Sequence, residues 1–322
     1  MKKTAWIAVA LCALLAVSSF SCGGGGGSCP ECIDPGAWNY PENQFVLDYL
    51  ELPLTSADAK ALAFDLDHNG TPDNQLGNIL AALGSAMGDT NPQESLEASM
   101  AKGEIIVLFA IYAEDMQLSP KSNLWAFLGE QADPELTDGP QPGGTFTVDT
   151  TNSPADAYFG GKIKNGGGLY GGDEAELLLS IALTGTQPLN LSLRAVNVEF
   201  DVSADGLVLE NGRLGGAITE TDLNGQVLPT VANLLQDQMA GKCSTTTGTC
   251  VCESGSGAET IQSMFDTDGS CDVTLAEVQN NNIIKAFLKG DVDLKDGSKA
   301  LSLAVGFSAV NAVFTHTPPL TQ

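Results

Sequence analysis

The chain has 322 residues, of which 40 are acidic and 14 basic, for a formal charge of −26. That much negative charge repels phosphate backbones and anionic headgroups, which excludes nucleic acid as a partner and electrostatic docking on a lipid surface. A hydrophobic fraction of 43% is that of a chain with a core to bury, not of a disordered one.

Residues 1–21 have the order of a secretory signal. Lys2 and Lys3 give a positive start, and Ala5–Val17 is an uncharged apolar run. The run is shorter than the roughly 20 residues that a membrane-spanning helix needs. Ser19-Phe20-Ser21-Cys22 then resembles the bacterial lipobox, although Ser19 stands where an aliphatic residue is usual. The resemblance implies cleavage before Cys22 and a lipid anchor on it. With Gly23 behind it and not Asp, it also implies the outer membrane. Residues 22–36 follow as a tether, flexible through Gly23–Gly27. Six cysteines lie beyond Cys22: Cys29, Cys32, Cys243, Cys250, Cys252 and Cys271. An even set in an exported chain reads as disulfides, and the sequence alone does not choose among the pairings. Proximity suggests Cys29 with Cys32, leaving four clustered in 243–271. Zinc is the rival reading for Cys29–Cys32, but a second paired motif at ribbon spacing is missing.

Residues 37–102 read as a helical segment. A short apolar-periodic helix is expected over Gln44–Leu50, and Thr55 caps a second helix through Ser56–Phe64. The second helix runs into Asp65-Leu66-Asp67-His68-Asn69-Gly70-Thr71-Pro72-Asp73, where side-chain oxygens recur at every second position around a turn glycine. Ca²⁺ takes roughly 6–8 oxygens at about 2.3–2.6 Å, and such spacing wraps them around one hard cation. Asp65, Asp67, Asn69, Thr71 and Asp73 are the expected ligands. Position twelve is Leu76, which cannot ligate, so Asp73 must close the shell. In this the loop resembles the thrombospondin type 3 repeats. Three carboxylates this close repel one another unless a cation neutralises them. Mg²⁺ demands tighter octahedral geometry and fits less well. Asp73 or Asn74 caps a further helix over Gln75–Met87, and Pro92–Met100 is another.

Residues 103–220 read as a β-rich body. Ile105–Ala113 is a branched apolar run of the kind that makes a buried strand. Further strands are expected over Leu124–Leu128, Thr145–Val148, Tyr158–Ile163, Ala175–Leu183, Leu189–Val196, Val198–Val202, Leu207–Leu209 and Gly216–Thr219. Gly-rich breaks at Asn165–Gly168 and Asp205-Gly206 separate some of them. Many short strands at this spacing predict an antiparallel β-sandwich or barrel, so the fold class is α+β, mainly β, with helix–loop–helix segments on either side.

Residues 221–322 read as a helical, Cys-rich segment ending in a strand. Asp222–Met239 is helical, with Pro229 kinking or restarting it. A Cys-rich loop spans Cys243–Cys252, and helices are expected at Glu259–Phe265 and Leu275–Leu288. Between those two helices Asp266, Asp268, Ser270, Asp272 and Glu277 fill positions one, three, five, seven and twelve of a frame that resembles the EF-hand. The departure is Cys271 at position six, where the family has glycine; a side chain at positive φ costs on the order of 1 kcal/mol. Thr274 and Glu277 also have capping-box spacing, which needs no metal. A third acidic stretch, Asp291, Asp293 and Asp296, contains Lys295 and reads as a polar turn. Ala300–Phe314 is strand-like and expected to rejoin the sheet.

The residues offer no catalytic constellation. There are two histidines, His68 in the first loop and His316 near the end, and no Gly-x-Ser-x-Gly or phosphate-loop motif. Together the lipobox-like start, the tether and the segments Phe64–Leu76 and Phe265–Val278 resemble lipoproteins of the deltaproteobacterial type, which implies an exported location and calcium. The expectation is a non-enzymatic, calcium-binding envelope lipoprotein whose β-rich body contacts a protein or a glycan. The competing expectation is a calcium-dependent hydrolase or carbohydrate-binding module, with a concave pocket of paired carboxylates or exposed aromatics in the Ile105–Thr219 body; core packing is the reading for Trp125, and finding it buried counts against this alternative.

Overall fold

The computed structural model describes residues 17–19, 40–78, 92–131, 138–150, 158–172, 176–181, 189–246, 248–287 and 289–316. The barrel strands are β2 (Glu42–Glu51), β3 (Val107–Ala113), β4 (Leu118–Gln131), β6 (Phe159–Lys164), β7 (Gly167–Gly171), β9 (Leu189–Val202), β10 (Val208–Thr219) and β14 (Lys299–Val313). They pair in the order β9–β10–β14–β2–β3–β4–β6–β7, and β7 pairs back onto β9, which closes an eight-stranded antiparallel barrel. The C-terminal strand β14 seats between β10 and the N-terminal β2. Everything between β10 and β14 is therefore an insertion in one wall. Outside the ring, β1 (Val17–Ser19) pairs with β8 (Glu176–Ile181), β8 with the first half of β9, β5 (Gly144–Val148) with β4 and β14, and β13 (Val292–Asp293) with β14. Among the described residues no helix is long and apolar enough to cross a membrane.

The period-two alternation of the strands explains the core. In β3, Val107, Phe109, Ile111 and Ala113 enter the barrel, where they meet Phe45, Leu124, Phe159, Tyr170, Phe200 and Phe307. The intervening Ile106, Leu108, Ala110 and Tyr112 face outward, yet they are buried too, under Phe146, Val148, Tyr158, Val310 and Phe314. This double burial is why the sequence of β3 is apolar throughout. Trp125 belongs to that outer layer and is fully buried, which removes it as an exposed sugar platform.

Several expected elements change. Gln44–Leu50 is not a helix but the middle of β2: Phe45 and Leu47 point into the barrel and Val46 to the outer layer. A short apolar run has no periodicity that separates a two-sided buried strand from a helix. Leu189–Val196 and Val198–Val202 are one strand, as are Leu207–Leu209 and Gly216–Thr219; bulges next to Ala195 and Asn211, both at positive φ, break each pattern. The Gly-rich break at 165–168 is a hairpin turn at Asn165-Gly166 leading into β7. The Cys-rich loop is a hairpin of β11 (Cys243–Thr246) and β12 (Thr249–Cys252). Leu275–Leu288 divides into two short helices at Asn281, whose extended ψ of 131° ends the first. Of the helix expected over Gln75–Met87, residues 75–78 are helical and the remainder lies outside the described residues.

Candidate metal centres

The first acidic loop follows helix α1 (Ser56–Leu62), whose start is fixed by a capping box between Thr55 and Asp58. Phe64 and Asp73 pair as an isolated antiparallel bridge, with the Asp73 N–H donating to the Phe64 carbonyl at 2.6 Å, so the loop closes at its base. Phe64 and Leu66 on one side of the loop bury against Ala217, Ala300 and Ala304 of β10 and β14. The Arg213 guanidinium lies 4.8 Å from the centroid of the Phe64 ring and donates to the Ala63 carbonyl at 3.1 Å. The loop is thus laid flat on the outer barrel wall.

The buried residue Asn74 fixes that placement. Its Nδ2 donates to the Ala59 carbonyl at 3.1 Å and to the Ala304 carbonyl at 3.0 Å. Its Oδ1 accepts from the Ala304 N–H at 2.9 Å and the Gly77 N–H at 3.0 Å. One amide side chain therefore completes a strand-like pair with the middle of β14, ties back to α1, and caps the helical turn at 75–78.

Within the loop the carboxylates of Asp65, Asp67 and Asp73 converge, with one oxygen from each inside 4.8 Å of the others. Asp65 Oδ2 accepts from the Gly70 N–H at 3.0 Å, whereas Asp65 Oδ1 is buried with no hydrogen-bond partner. Asp67 accepts from the Asn69 N–H at 3.2 Å and, through Oδ2, from the Asp293 N–H at 3.1 Å. Asp73 accepts from the Leu66 N–H at 2.9 Å. Burial pushes the Asp73 carboxyl up to about 6, against the bond from Leu66, and the charges of Asp67, Asp291 and Asp65 push it the same way. Asn69 and Thr71 are exposed, and the Thr71 N–H donates to Asn69 Oδ1 at 2.8 Å.

The second loop joins α5 (Gly257–Phe265) to α6 (Leu275–Asn280), and the two loops share one backbone design. Positive φ falls at positions four and six in both: His68 and Gly70 at 57° and 86°, Gly269 and Cys271 at 74° and 68°. The same three contacts recur. Cys271 N–H reaches Asp266 at 3.1 Å as Gly70 reaches Asp65, Ser270 N–H reaches Asp268 at 2.9 Å as Asn69 reaches Asp67, and Asp272 N–H reaches Ser270 Oγ at 3.3 Å as Thr71 reaches Asn69. Cys271 therefore adopts the turn usually left to glycine, held by a disulfide to Cys250. Helix α4 (Leu228–Met239) steadies the loop through Gln236, which donates to Asp272 at 2.9 Å and accepts from the Val273 N–H at 2.6 Å.

Asp266, Asp268 and Glu277 also converge within 4.8 Å. Here the last carboxylate is committed to the protein. Glu277 Oε2 accepts from Thr274 N–H and Oγ1 at 2.9 Å each, which realises the capping box, and Oε1 accepts from Thr267 N–H at 2.8 Å and Oγ1 at 3.0 Å. Burial raises the Glu277 carboxyl, but these bonds outweigh it and hold it below the usual range. The first loop offers an oxygen without a partner; the second offers ligands already satisfied.

No protein-family model, characterised protein or solved structure matches the chain.

The remaining expected site residues divide in two. Cys243 bonds Cys252 and Cys250 bonds Cys271, whereas Cys22, Cys29 and Cys32 lie outside the described residues. His316 is enclosed by Tyr112, Trp125, Phe127 and Phe314, with Nε2 on Glu42 at 2.8 Å. Its imidazole faces rings and a carboxylate, not a nucleophile. The role of the third acidic stretch escapes a sequence reading. Its Asp293 N–H meets Asp67, and Asp291 accepts from the Ser302 N–H at 2.8 Å and from its hydroxyl. The spacing of those acids is visible in the sequence, but their approach to a loop more than two hundred residues away is set by β14.

Proposed function

We propose that the chain is a calcium-binding cell-envelope lipoprotein, non-enzymatic, in which Ca²⁺ at Asp65, Asp67 and Asp73 clamps the first loop to the barrel wall. The observation that carries this reading is Asp65 Oδ1, a buried carboxylate oxygen with no partner inside a cluster of three carboxylates. A buried carboxylate oxygen without a partner is costly, and a hard cation satisfies it and offsets the mutual repulsion. Asp65, Asp67 and Asp73 would hold the ion, with Asn69 and the Thr71 carbonyl at the intervening positions. The ion supplies charge neutralisation and cross-linking, not reaction chemistry. The second loop, with Asp266, Asp268, Ser270, Asp272 and Glu277, is the weaker site because Glu277 is already engaged. The lipid on Cys22 anchors the barrel to the outer membrane, and the barrel serves to bind an envelope protein or glycan.

Calcium that binds the folded chain alone adds about 2.7 kcal/mol at a hundredfold excess over its dissociation constant. Thermal melting of the mature chain carrying Cys22→Ser, in Ca²⁺ and in chelator, tests this. The expected result is a higher melting temperature in Ca²⁺, with most of the difference removed by Asp65→Ala plus Asp67→Ala. Identical melting in both buffers overturns the reading.

A further inference from the structure

The β11–β12 hairpin gathers three sulfurs. Residues two apart on a strand share a face, so Cys250 and Cys252 lie on one side of β12 and Val251 on the other, where it is 53% exposed. Cys243 stands directly across from Cys252 in the register, on the same side. That side faces the small core of the insertion, built from Leu228, Leu235, Ile261 and Val278, and Cys250 is 3% exposed within it. The sulfurs of Cys243, Cys250 and Cys252 consequently fall within 4.8 Å of one another, although they belong to two different disulfides.

We propose that Cys243, Cys250 and Cys252 form a thiol–disulfide exchange centre that can move the Cys250–Cys271 cross-link off the 266–277 loop. The reductant is a dithiol, and its entry point is Cys271, the half-buried end of the Cys250–Cys271 bond. A thiolate of the dithiol attacks Cys271 Sγ; a mixed disulfide forms, the Cys250–Cys271 bond breaks, and its electron pair leaves on Cys250 Sγ. The second thiol of the dithiol resolves the mixed disulfide, leaving Cys271 as a thiol and the reagent as its own disulfide. The Cys250 thiolate, buried in apolar surroundings and unable to diffuse away, attacks the neighbouring Cys243–Cys252 bond. One new bond forms from Cys250 to Cys243 or Cys252, and the other cysteine leaves as a thiolate and takes up a proton. One dithiol is oxidised, one protein disulfide is lost overall, and the surviving disulfide contains Cys250 but not Cys271. The packing of three sulfurs in one small core gives the internal step a high effective concentration. Its output is mechanical. Cys271 holds φ of 68° at a turn position where a side chain is disfavoured, and freeing it lets the loop relax whether or not the loop holds an ion.

The test uses the mature chain carrying Cys22→Ser, Cys29→Ser and Cys32→Ser, so that its cysteines are Cys243, Cys250, Cys252 and Cys271. Cys271→Ser places a single thiol at Cys250 beside an intact Cys243–Cys252 bond without any reductant. Under native conditions at mildly alkaline pH, alkylation and peptide mapping should find the thiol spread over Cys250, Cys243 and Cys252, at a rate independent of protein concentration. Cys250→Ser leaves its thiol at Cys271, outside the group of three sulfurs, and should keep Cys243–Cys252 intact at least tenfold longer. A thiol that stays on Cys250 in the first variant overturns the proposal, as does equal scrambling in both, which would report unfolding and not proximity. The chain that keeps all of these cysteines supplies a check that needs no folding of a further variant. Limiting dithiol should yield molecules that join Cys250 to Cys243 or Cys252 and carry Cys271 as a thiol. Partly reduced molecules whose surviving disulfide is always one of the two original pairs contradict it.

Discussion

Asn74→Ala is the sharpest perturbation of the way the first loop is attached. The substitution removes an Nδ2 that donates twice and an Oδ1 that accepts twice, leaving the Ala59 and Ala304 carbonyls and the Ala304 and Gly77 N–H groups without their partner. Each buried polar group left unsatisfied costs roughly 1–3 kcal/mol, and orphaned N–H groups are tolerated less well than carbonyls. Allowing for partial rehydration at the wall of the barrel, the loss is about 3–5 kcal/mol. For a chain of this size that corresponds to a melting temperature lower by roughly 5–8 °C. Urea unfolding followed by tryptophan fluorescence measures it, because buried Trp125 packs in the outer layer of the barrel and reports the barrel itself. A loss below about 1 kcal/mol would mean that the four bonds do not bear on the barrel and that the loop is not fastened as described.

Two further expectations follow from the same region. Asp73 has its folded carboxyl raised to about 6 from an ordinary value of 3.8, so in chelator its contribution favours the fold below about pH 4 and is lost as pH rises through about 6. The melting temperature of the wild type relative to Asp73→Asn should therefore fall across that window without calcium. With calcium the sign reverses, since ligation needs the ionised carboxylate and tightens with pH; a difference that is flat with pH in both buffers contradicts the assignment. Gly215→Val should destabilise by about 1–3 kcal/mol, because a Cβ there falls 2.5 Å from the Phe64 ring and pushes the base of the loop off β10. Equal stability of the variant and wild type in denaturant titration would show that the Phe64 contact yields without cost.

The parts of the fold that the sequence made legible are those where one local signal dominates. Ile105–Ala113 reads as a strand because it is buried on both faces, and Ala300–Phe314 for the same reason. The convergence of carboxylates in the two acidic loops is legible because oxygen spacing is a local property. What escaped was set by distant neighbours. Gly168 looks like a chain break, yet it lies in β7, where a side chain would meet the Phe200 ring at 2.4 Å. Phe45–Leu50 is apolar enough for a helix and becomes a strand only because β3 and β14 offer it edges. Cys271 occupies a positive-φ turn that favours glycine, and its compensation, Cys250, lies on a hairpin that the polar residues of 243–252 do not announce. Asn74 carries capping chemistry in the sequence, but its larger role depends on Ala304, 230 residues away.

The most direct measurement is a calorimetric Ca²⁺ titration of the mature, chelator-treated chain carrying Cys22→Ser. The account predicts a tighter binding phase that disappears with Asp65→Asn plus Asp67→Asn, leaving only the weaker second loop, and that persists with Asp266→Asn plus Asp268→Asn. Absence of saturable binding, or a tighter phase that survives the loss of Asp65 and Asp67, would contradict it.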